Sequence, residues 1–368
     1  MSLWRYDRIF YTLSVGYFLA LALLLWTTPL SPSEAKLFYE GSTTPTVWIA
    51  RTLHHWLPGV LGLRLFPYLL GLINAGLYWS IVRDYFTREE DARFAFFLYL
   101  LLPGVIASGI LLNEATYAFT MVLLFLWAYR RRIFWLQGLA LAILLPSPTA
   151  TFALYGMIAL YGYRKGERVL LWLGLLFLLG SLLLGSYDFR GRPQGHFLEL
   201  LGVYAALFSP FYFIYYFYAL YRVSLEGPRD LHWYIASGAL ILSILLSIRQ
   251  QILIVDFSPY LLAGAMIPVA VYLRSLRVRI RPFQRTYRAA ASFVIFTMIL
   301  SALLLFLHRP IYRLLGSPHW FFASALYEPY DLATRLQKGG EVYTLSNLKK
   351  KERKVLRFYG ISDKRKSQ

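Results

Sequence analysis

Long runs of apolar residues alternate with short polar breaks along most of the chain. A helix needs about 20 such residues to cross the hydrocarbon core of a bilayer. The pattern therefore predicts an all-α polytopic membrane protein with about eleven transmembrane helices. The predicted spans are residues 9–28, 58–82, 94–112, 115–129, 133–146, 149–163, 169–187, 200–221, 231–248, 259–273 and 289–308.

Two segments outside these spans are long enough to carry structure of their own. Residues 29–57 connect the first two spans, and residues 309–368 form a tail. We predict a short helix at 329–337 and a short strand at 341–345, which would make the tail a small α/β segment. The chain then divides into a transmembrane domain, residues 1–308, and the tail.

The distribution of Lys and Arg predicts how the chain is oriented in the membrane. With the N-terminus inside, the inner loops carry nineteen of these residues and the outer loops carry five. Cytoplasmic loops are the ones enriched in Lys and Arg. We therefore expect the protein to lie in the cytoplasmic (inner) membrane. Its N-terminus would be cytoplasmic, and both the first long loop and the tail would be extracytoplasmic.

Composition supports a membrane protein and argues against a soluble enzyme. Hydrophobic residues make up 58% of the chain and charged residues only 15%, where soluble domains average about 25% charged. The net charge is +19, but the basic residues fall in short clusters between apolar runs. That arrangement is typical of loops facing anionic lipid, so no nucleic-acid partner is expected. The chain has no cysteine.

The side chain of Glu34, at the start of the first outer loop, could have a structural role or a catalytic role. Ser31, Pro32 and Glu34 fit an N-cap, a first helical residue and the third position of a capping box. Alternatively, a carboxylate held at the membrane surface could take a proton from an acceptor group, as a general base must. The pattern alone leaves both interpretations open.

Two arginines near the outer face are candidates for binding a phosphate. Arg64 lies inside an apolar run, where a guanidinium needs a carboxylate or phosphate partner. The partner of Arg64 could be a lipid phosphate, or Arg64 could form an ion pair with Glu34 or Glu114, and the sequence leaves both possibilities open. Arg249 is another cation at the outer rim. The sequence contains no phosphate-binding glycine loop and no zinc motif, so neither a metal nor a cofactor is expected.

The first half of the chain resembles the GT-C glycosyltransferases, in the branch of the protein O-mannosyltransferases and the lipid A aminoarabinose transferase. Members open the first outer loop with Asp-Glu-Ala and a Tyr a few residues on, which corresponds to Ser33-Glu34-Ala35 and Tyr39. Further motifs of the family correspond to residues 44–48, 64–67, 112–115 and 146–149. The resemblance runs from about residue 5 to residue 170.

This resemblance implies a fold, a reaction and a set of site residues. The reaction would be an inverting transfer of a sugar from a polyprenyl-phosphate donor, at the outer face, to a glycolipid or protein acceptor. The first-loop acid would be the general base, and cations would hold the donor phosphate. The predicted site comprises Glu34 as the catalytic residue, Arg64, Arg249 and Tyr39 at the donor phosphate, and Ser33, Asn113 and Glu114 in support.

The sequence also departs from the family at three positions. The catalytic Asp of the family corresponds to Ser33, which cannot act as a base, so Glu34 is the acid that remains. The lysines that contact phosphate in relatives correspond to Thr44 and Ser147. The chain is therefore either a diverged transferase that uses Glu34 or a relative that has lost catalysis.

The leading hypothesis is a membrane glycosyltransferase whose partners are membrane lipid, a polyprenyl-phosphate-linked sugar and an envelope acceptor. One alternative is a transporter or flippase of lipid-linked sugars, which usually shows inverted repeats and helices broken by Gly or Pro near the middle of the membrane; no repeat is visible in the sequence, and the acidic residues cluster at one face instead of the midplane. Another is a catalytically inactive scaffold of the cell envelope. A transferase is expected to place Glu34 and Arg64 on one cavity that faces outward.

Overall fold

The protein is built from α-helices, as the apolar runs predict. The structure, a computed structural model, describes residues 3–41, 45–146, 150–184, 195–316, 318–338 and 350–361. Its helices are α1 (Leu3–Thr27), α2 (Pro32–Glu40), α3 (Pro45–Trp56), α4 (Val60–Tyr85), α5 (Glu89–Leu100), α6 (Pro103–Ile110), α7 (Ala115–Arg130), α8 (Phe134–Leu144), α9 (Thr151–Lys165), α10 (Arg168–Leu184), α11 (Phe197–Phe208), α12 (Pro210–Glu226), α13 (Leu231–Ser247), α14 (Ile254–Leu262), α15 (Met266–Val278), α16 (Arg281–Phe306), α17 (His308–Leu314), α18 (Ser324–Gln337) and α19 (Lys350–Phe358).

The all-α class is confirmed, because the described residues contain helices and no strand. The strand predicted at 341–345 lies outside the described residues, as does most of the predicted turn at 146–149. The helix predicted at 329–337 is present as α18, which begins earlier, at Ser324, and contains Pro329.

Two of the predicted spans are each formed by a bent pair of helices. The axes of α5 and α6 differ by 61°, and those of α11 and α12 by 104°. Each second helix begins with a proline, Pro103 or Pro210, whose ring disfavours helical backbone in the residue before it. Ser209, between α11 and α12, has a positive φ of 74°.

Four helical segments of the described chain are long and apolar enough to cross a membrane by themselves. They are Arg8–Thr27, Val60–Tyr85, Ile254–Val278 and Arg281–Phe306, and the number rises to six if each bent pair counts as one span. These segments identify a multi-pass membrane protein. The total of about eleven spans stays a prediction, because helices such as α8 are shorter than the bilayer core.

The predicted start of the tenth span at Pro259 is wrong. Ser258-Pro259 has the sequence of an N-cap followed by the first helical residue, but the helix begins at Ile254 and Pro259 lies inside it. A proline in the second turn removes only the hydrogen bond of its own nitrogen, so the helix can extend in the N-terminal direction.

The chain divides into two compact units, each of which is described by itself. The first comprises residues 1–69, 108–113 and 303–368, and the second comprises residues 70–107 and 114–302. The predicted boundary at residue 308 concerns membrane topology and stays a prediction.

The core of the first unit brings together segments from both ends of the chain. Apolar side chains from the first outer loop, α4 and α19 form one buried cluster, which consists of Leu30, Ala35, Ala50, Leu63, Leu112 and Val355. The tail therefore packs directly on the helices of the first outer loop.

The second unit is a bundle of helices joined by short connections. Helices α7 and α8 pack together, α9 packs on α10, and α13 packs on both α9 and α14. Helices α9 and α10 approach so closely that a Cβ atom on Gly174 would lie 2.5 Å from the backbone nitrogen of Ala159. Small residues permit this kind of approach between membrane helices.

Candidate functional site

Glu34 lies at the first turn of α2, where the predicted capping box is present. The Ser31 hydroxyl accepts a hydrogen bond from the Glu34 backbone nitrogen at 3.1 Å. In return, Glu34 Oε2 accepts one from the Ser31 nitrogen at 2.9 Å. Two N–H groups at the start of the helix are thereby satisfied, with Pro32 as the first helical residue.

The same carboxylate also forms a bidentate ion pair with Arg64 of α4. Arg64 Nε lies 2.8 Å from Oε1 and Arg64 Nη2 lies 2.6 Å from Oε2. Arg64 Nη1 donates to the carbonyls of Thr28 at 2.7 Å and Leu25 at 3.5 Å, and Nη2 donates to that of Pro29 at 2.8 Å. The donors of the guanidinium are thus engaged by the carboxylate and by the end of α1.

A fourth hydrogen bond ties a distant segment to the carboxylate. The backbone nitrogen of Leu112 donates to Glu34 Oε1 at 2.8 Å. Glu34 and Arg64 are 1% and 0% exposed. Burial by itself would raise the pKa of Glu34, but the charge of Arg64 and the hydrogen bonds from Arg64, Leu112 and Ser31 outweigh it and hold this pKa below its ordinary value.

This network, which we call the Glu34–Arg64 clamp, fits the ion-pair interpretation of Arg64. It joins the end of α1, the start of α2, α4 and the 108–113 segment through one carboxylate. A carboxylate with a lowered pKa and four hydrogen-bond donors is a weak proton acceptor. The catalytic role of Glu34 stays a prediction, and the geometry favours a structural role.

The other predicted site residues of the first unit lie around the clamp but do not complete a phosphate site. The exposed Ser33 has its hydroxyl 3.0 Å from that of Ser31. The ring of Tyr39 lies under the guanidinium of Arg357, 4.9 Å away. Asn113 donates from its side chain to the Leu111 carbonyl at 2.7 Å.

Two predicted site residues belong to the second unit. Glu114 is at the N-cap of α7, but its side chain makes no capping hydrogen bond. Arg249 is exposed, two residues beyond the end of α13. Neither contributes a side chain to the Glu34–Arg64 clamp.

The first unit also contains a polar cavity of about 430 Å³. The candidate spans α1 and α4 each have one end there, Thr27 and Val60, and α17, α18 and Tyr359, the residue after α19, complete the wall. The cavity is lined by Trp26, Thr27, Thr28, Pro29, Val60, Arg309, Tyr312, Arg313, Tyr327, Tyr330, Asp331 and Tyr359. Neither Glu34 nor Arg64 is among these residues, so the expectation that both would line such a cavity is not met here. We call it the tail cavity.

Two cations on one face of α17 give the tail cavity a positive wall. Arg309 and Arg313 are four residues apart, so their side chains lie on the same side of the helix. Neither guanidinium makes a hydrogen bond or a salt bridge within the described part of the chain. Such guanidinium groups are suited to bind a phosphate.

A hydroxyl and a carboxyl add to the chemistry of this cavity. The buried Tyr327 hydroxyl has no hydrogen-bond partner among the described residues, and burial raises the pKa of Tyr327 to about 12. It therefore remains a donor. Burial also raises the pKa of Asp331, against the opposing charges of Arg335 and Arg313. An orphaned donor beside two cations favours an anionic ligand.

Arg309, Arg313, Tyr327 and Asp331 were not predicted as site residues from the sequence. The spacing of four between Arg309 and Arg313, directly after an apolar span, was a signal that could have been used. Asp331 offered no comparable signal, because its neighbours in the cavity come from the other end of the chain.

Comparison with solved structures identifies the fold. ArnT from Cupriavidus metallidurans in the apo state matches 95% of this chain and 84% of its own, with a TM-score of 0.55 and 16% identity. ArnT from the same organism bound to undecaprenyl phosphate matches 97% and 85%, with a TM-score of 0.56 and 14% identity. No protein-family model and no curated sequence matches the chain.

The chain therefore has the fold of ArnT, and the resemblance stated from the sequence is confirmed at the level of the fold. The similarity to ArnT covers nearly the whole length of the present chain. The match extends well beyond residue 170, where the sequence motifs end.

Proposed function

We propose that the protein is a membrane glycosyltransferase that moves a sugar from a polyprenyl-phosphate donor to a glycolipid or protein acceptor, at the outer face of the cytoplasmic membrane. The observation that carries this proposal is the ArnT-like fold over almost the entire chain, since one of the similar structures holds undecaprenyl phosphate. The tail cavity, at the ends of candidate spans, supplies a site of matching chemistry.

The tail cavity suits the phosphate of such a donor. The apolar ends of α1 and α4 would keep the polyprenyl chain in the bilayer while the phosphate reaches Arg309 and Arg313. When the bond between the sugar C1 and the phosphate oxygen breaks, the phosphate gains negative charge. Two guanidinium groups and the Tyr327 hydroxyl would stabilise that charge as it develops.

The second requirement is a base for the acceptor. In an inverting transfer, the acceptor oxygen forms a bond to C1 as the C1–phosphate bond breaks, and its proton passes to a carboxylate. We assign this role to Asp331, because it lines the cavity and its raised pKa makes it the better proton acceptor. Glu34, the base predicted from the sequence, would first have to leave Arg64.

The experiment is a structural analysis of the cell's glycolipids and glycoproteins after deletion of the gene, with complementation by variants. We expect one glycan to lose a single sugar, and the wild-type gene to restore it. Asp331→Asn should fail to restore it, whereas the exposed Lys338→Gln at the end of α18 should succeed. An unchanged set of glycans in the deletion strain would contradict the proposal.

A second candidate, a GT-C-like scaffold without catalysis, is favoured by one observation. The position of the family's catalytic Asp is occupied by the exposed Ser33, and the neighbouring Glu34 is held in the clamp. If the protein is a scaffold, it must be present in the cell, but an ionisable side chain at Asp331 is not required. Full complementation by a well-expressed Asp331→Asn variant would therefore support the scaffold.

A further inference from the structure

A second polar cavity lies in the other compact unit, at the ends of α12 and α15. It has a volume of about 340 Å³ and is lined by Arg222, Val223, Glu226, Gly227, Pro228, Val271, Arg274, Ser275, Val278 and Arg279. Three arginines face one acidic residue, so the cavity is positively charged. We call it the arginine pocket.

The arginines of this pocket are positioned by neutral groups. Arg222 donates to the Ser275 hydroxyl at 2.8 Å and to the Tyr218 hydroxyl at 3.4 Å. The guanidinium of Arg279 lies over the ring of Tyr287, 4.3 Å from its centre. Arg274 makes neither a hydrogen bond nor a salt bridge within the described residues. Because no carboxylate is paired with them, these cations remain available to an anion.

An apolar groove lies on the same two helices, α12 and α15, and includes Tyr287, whose ring contacts Arg279 of the pocket. It has a volume of about 90 Å³ and is lined by Phe94, Leu98, Tyr212, Tyr215, Pro268, Val269, Tyr272, Tyr287, Ala290, Ala291, Val294, Ile295 and Met298. On α15, Pro268 and Tyr272 of the groove share a helix face with Ser275 of the pocket, and Arg279 follows the end of this helix. Tyr287 therefore belongs to the groove while its ring supports Arg279 of the pocket region.

The wall that α16 contributes to this groove extends over about three turns of helix. Its residues recur at helical spacing from Tyr287 to Met298, with Ala290 and Ala291 leaving space near the pocket end. Eleven residues of helix rise roughly 16 Å, so this wall is long enough to lie along part of a fatty acyl chain. The groove is thus an apolar slot that begins at a cluster of cations.

The connection between α15 and α16 lies at the level expected for the membrane surface. It joins two candidate spans, Ile254–Val278 and Arg281–Phe306. Apolar side chains beside it are exposed, Ile280 to 70% and Phe283 to 63%. Exposed apolar residues interleaved with arginines are typical of a segment embedded in the lipid headgroup region.

We propose that the arginine pocket and the apolar groove together bind one anionic glycerophospholipid. Its phosphate lies against Arg274, Arg222 and Arg279, and one acyl chain lies in the groove along α16. Basic pockets between membrane helices on the cytoplasmic side bind anionic headgroups in this way. The charge pattern predicts this side for residues 274–288, away from the proposed donor site, so the inference does not depend on the proposed function.

The test uses the purified full-length protein in nanodiscs of phosphatidylcholine with a fluorescent phosphatidylglycerol as the probe. We expect Arg274→Gln/Arg279→Gln to weaken phosphatidylglycerol binding about 20- to 30-fold, since each surface cation contributes about a factor of five. The matched control is Arg281→Gln/Arg285→Gln, which removes the same charge from the same connection without touching the pocket. It should retain most of the affinity.

A third variant tests the groove independently of charge. Ala291→Phe fills the slot and should lower affinity for phosphatidylglycerol, while leaving unchanged the affinity for glycerophosphoglycerol, which has the headgroup but no acyl chain. Equal loss in the pocket and control double variants would show a general attraction to a basic surface and overturn the proposal. Preferential binding of undecaprenyl phosphate over phosphatidylglycerol at this site would also overturn it.

Discussion

The Glu34–Arg64 clamp makes a quantitative prediction about stability. Glu34→Gln keeps the shape of the side chain but leaves Arg64, which is 0% exposed, without a counter-ion. Removing one partner of a buried ion pair typically costs about 3–5 kcal/mol. Arg64→Met should cost a similar amount, because it leaves the carboxylate with only the Ser31 and Leu112 N–H groups and leaves the α1 carbonyls unpaired.

The double variant Glu34→Gln/Arg64→Met distinguishes a coupled pair from two independent contributions. Because neither charge is then left unpaired, we expect it to cost less than the two single variants added together, by about 2–3 kcal/mol. The control is Glu40→Gln on the same helix, since Glu40 pairs with Lys354 near the surface. Such a pair contributes at most about 1 kcal/mol.

The assay is equilibrium unfolding in mixed micelles, followed by the fluorescence of the ten tryptophans. The pH dependence provides an internal check. Because the pKa of Glu34 is lowered in the folded protein, its contribution is complete above the unfolded value of about 4.3 and is lost as the pH falls through the folded value. Additive single variants, or a cost for Glu34→Gln no larger than that for Glu40→Gln, would refute the reasoning.

Three further predictions concern the proposed site and the topology. Arg309→Gln/Arg313→Gln should raise the KM for a polyprenyl-phosphate sugar at least tenfold, because each charge-assisted hydrogen bond contributes about 1.5–3 kcal/mol. Asp331→Asn should lower kcat about 10²- to 10⁴-fold, and the wild-type rate should rise with pH through an Asp331 pKa above the ordinary value of about 3.9. In this cysteine-free chain, Lys338→Cys should react with an impermeant maleimide in intact cells, whereas Arg285→Cys should react only after lysis.

Each of these has a result that contradicts it. An unchanged KM and kcat would mean that Arg309 and Arg313 do not bind the donor phosphate. An Asp331→Asn variant with wild-type kcat and pH profile would exclude that residue as the base. Labelling of Arg285→Cys in intact cells would reverse the predicted orientation.

The features predicted well from the sequence depend on residues close together in the chain. The capping box of α2 is contained within Ser31 to Glu34, so its hydrogen bonds follow from four consecutive residues. The helical class follows from the apolar runs, each of which forms its own backbone hydrogen bonds. The prolines Pro103 and Pro210 are local signals for the two bends, although they do not indicate the angles of the bends.

The features that could not be predicted depend on contacts between distant residues. Arg64 had three possible partners from the sequence, because 30 residues separate it from Glu34 and the fold decides which group reaches it. The tail cavity brings Thr28 of the first loop near Arg309 and Asp331 of the tail. Neither segment carries a family motif at those positions, so only the folded chain reveals the cavity.

The most direct measurement of the central claim is a transfer assay with the purified protein, an acceptor-containing membrane extract and a set of polyprenyl-phosphate monosaccharides. The account predicts that one donor releases polyprenyl phosphate in equal amount to the sugar transferred, and that Asp331→Asn abolishes both while remaining folded. No turnover of any donor by a folded wild-type protein, or equal turnover by Asp331→Asn, would contradict it.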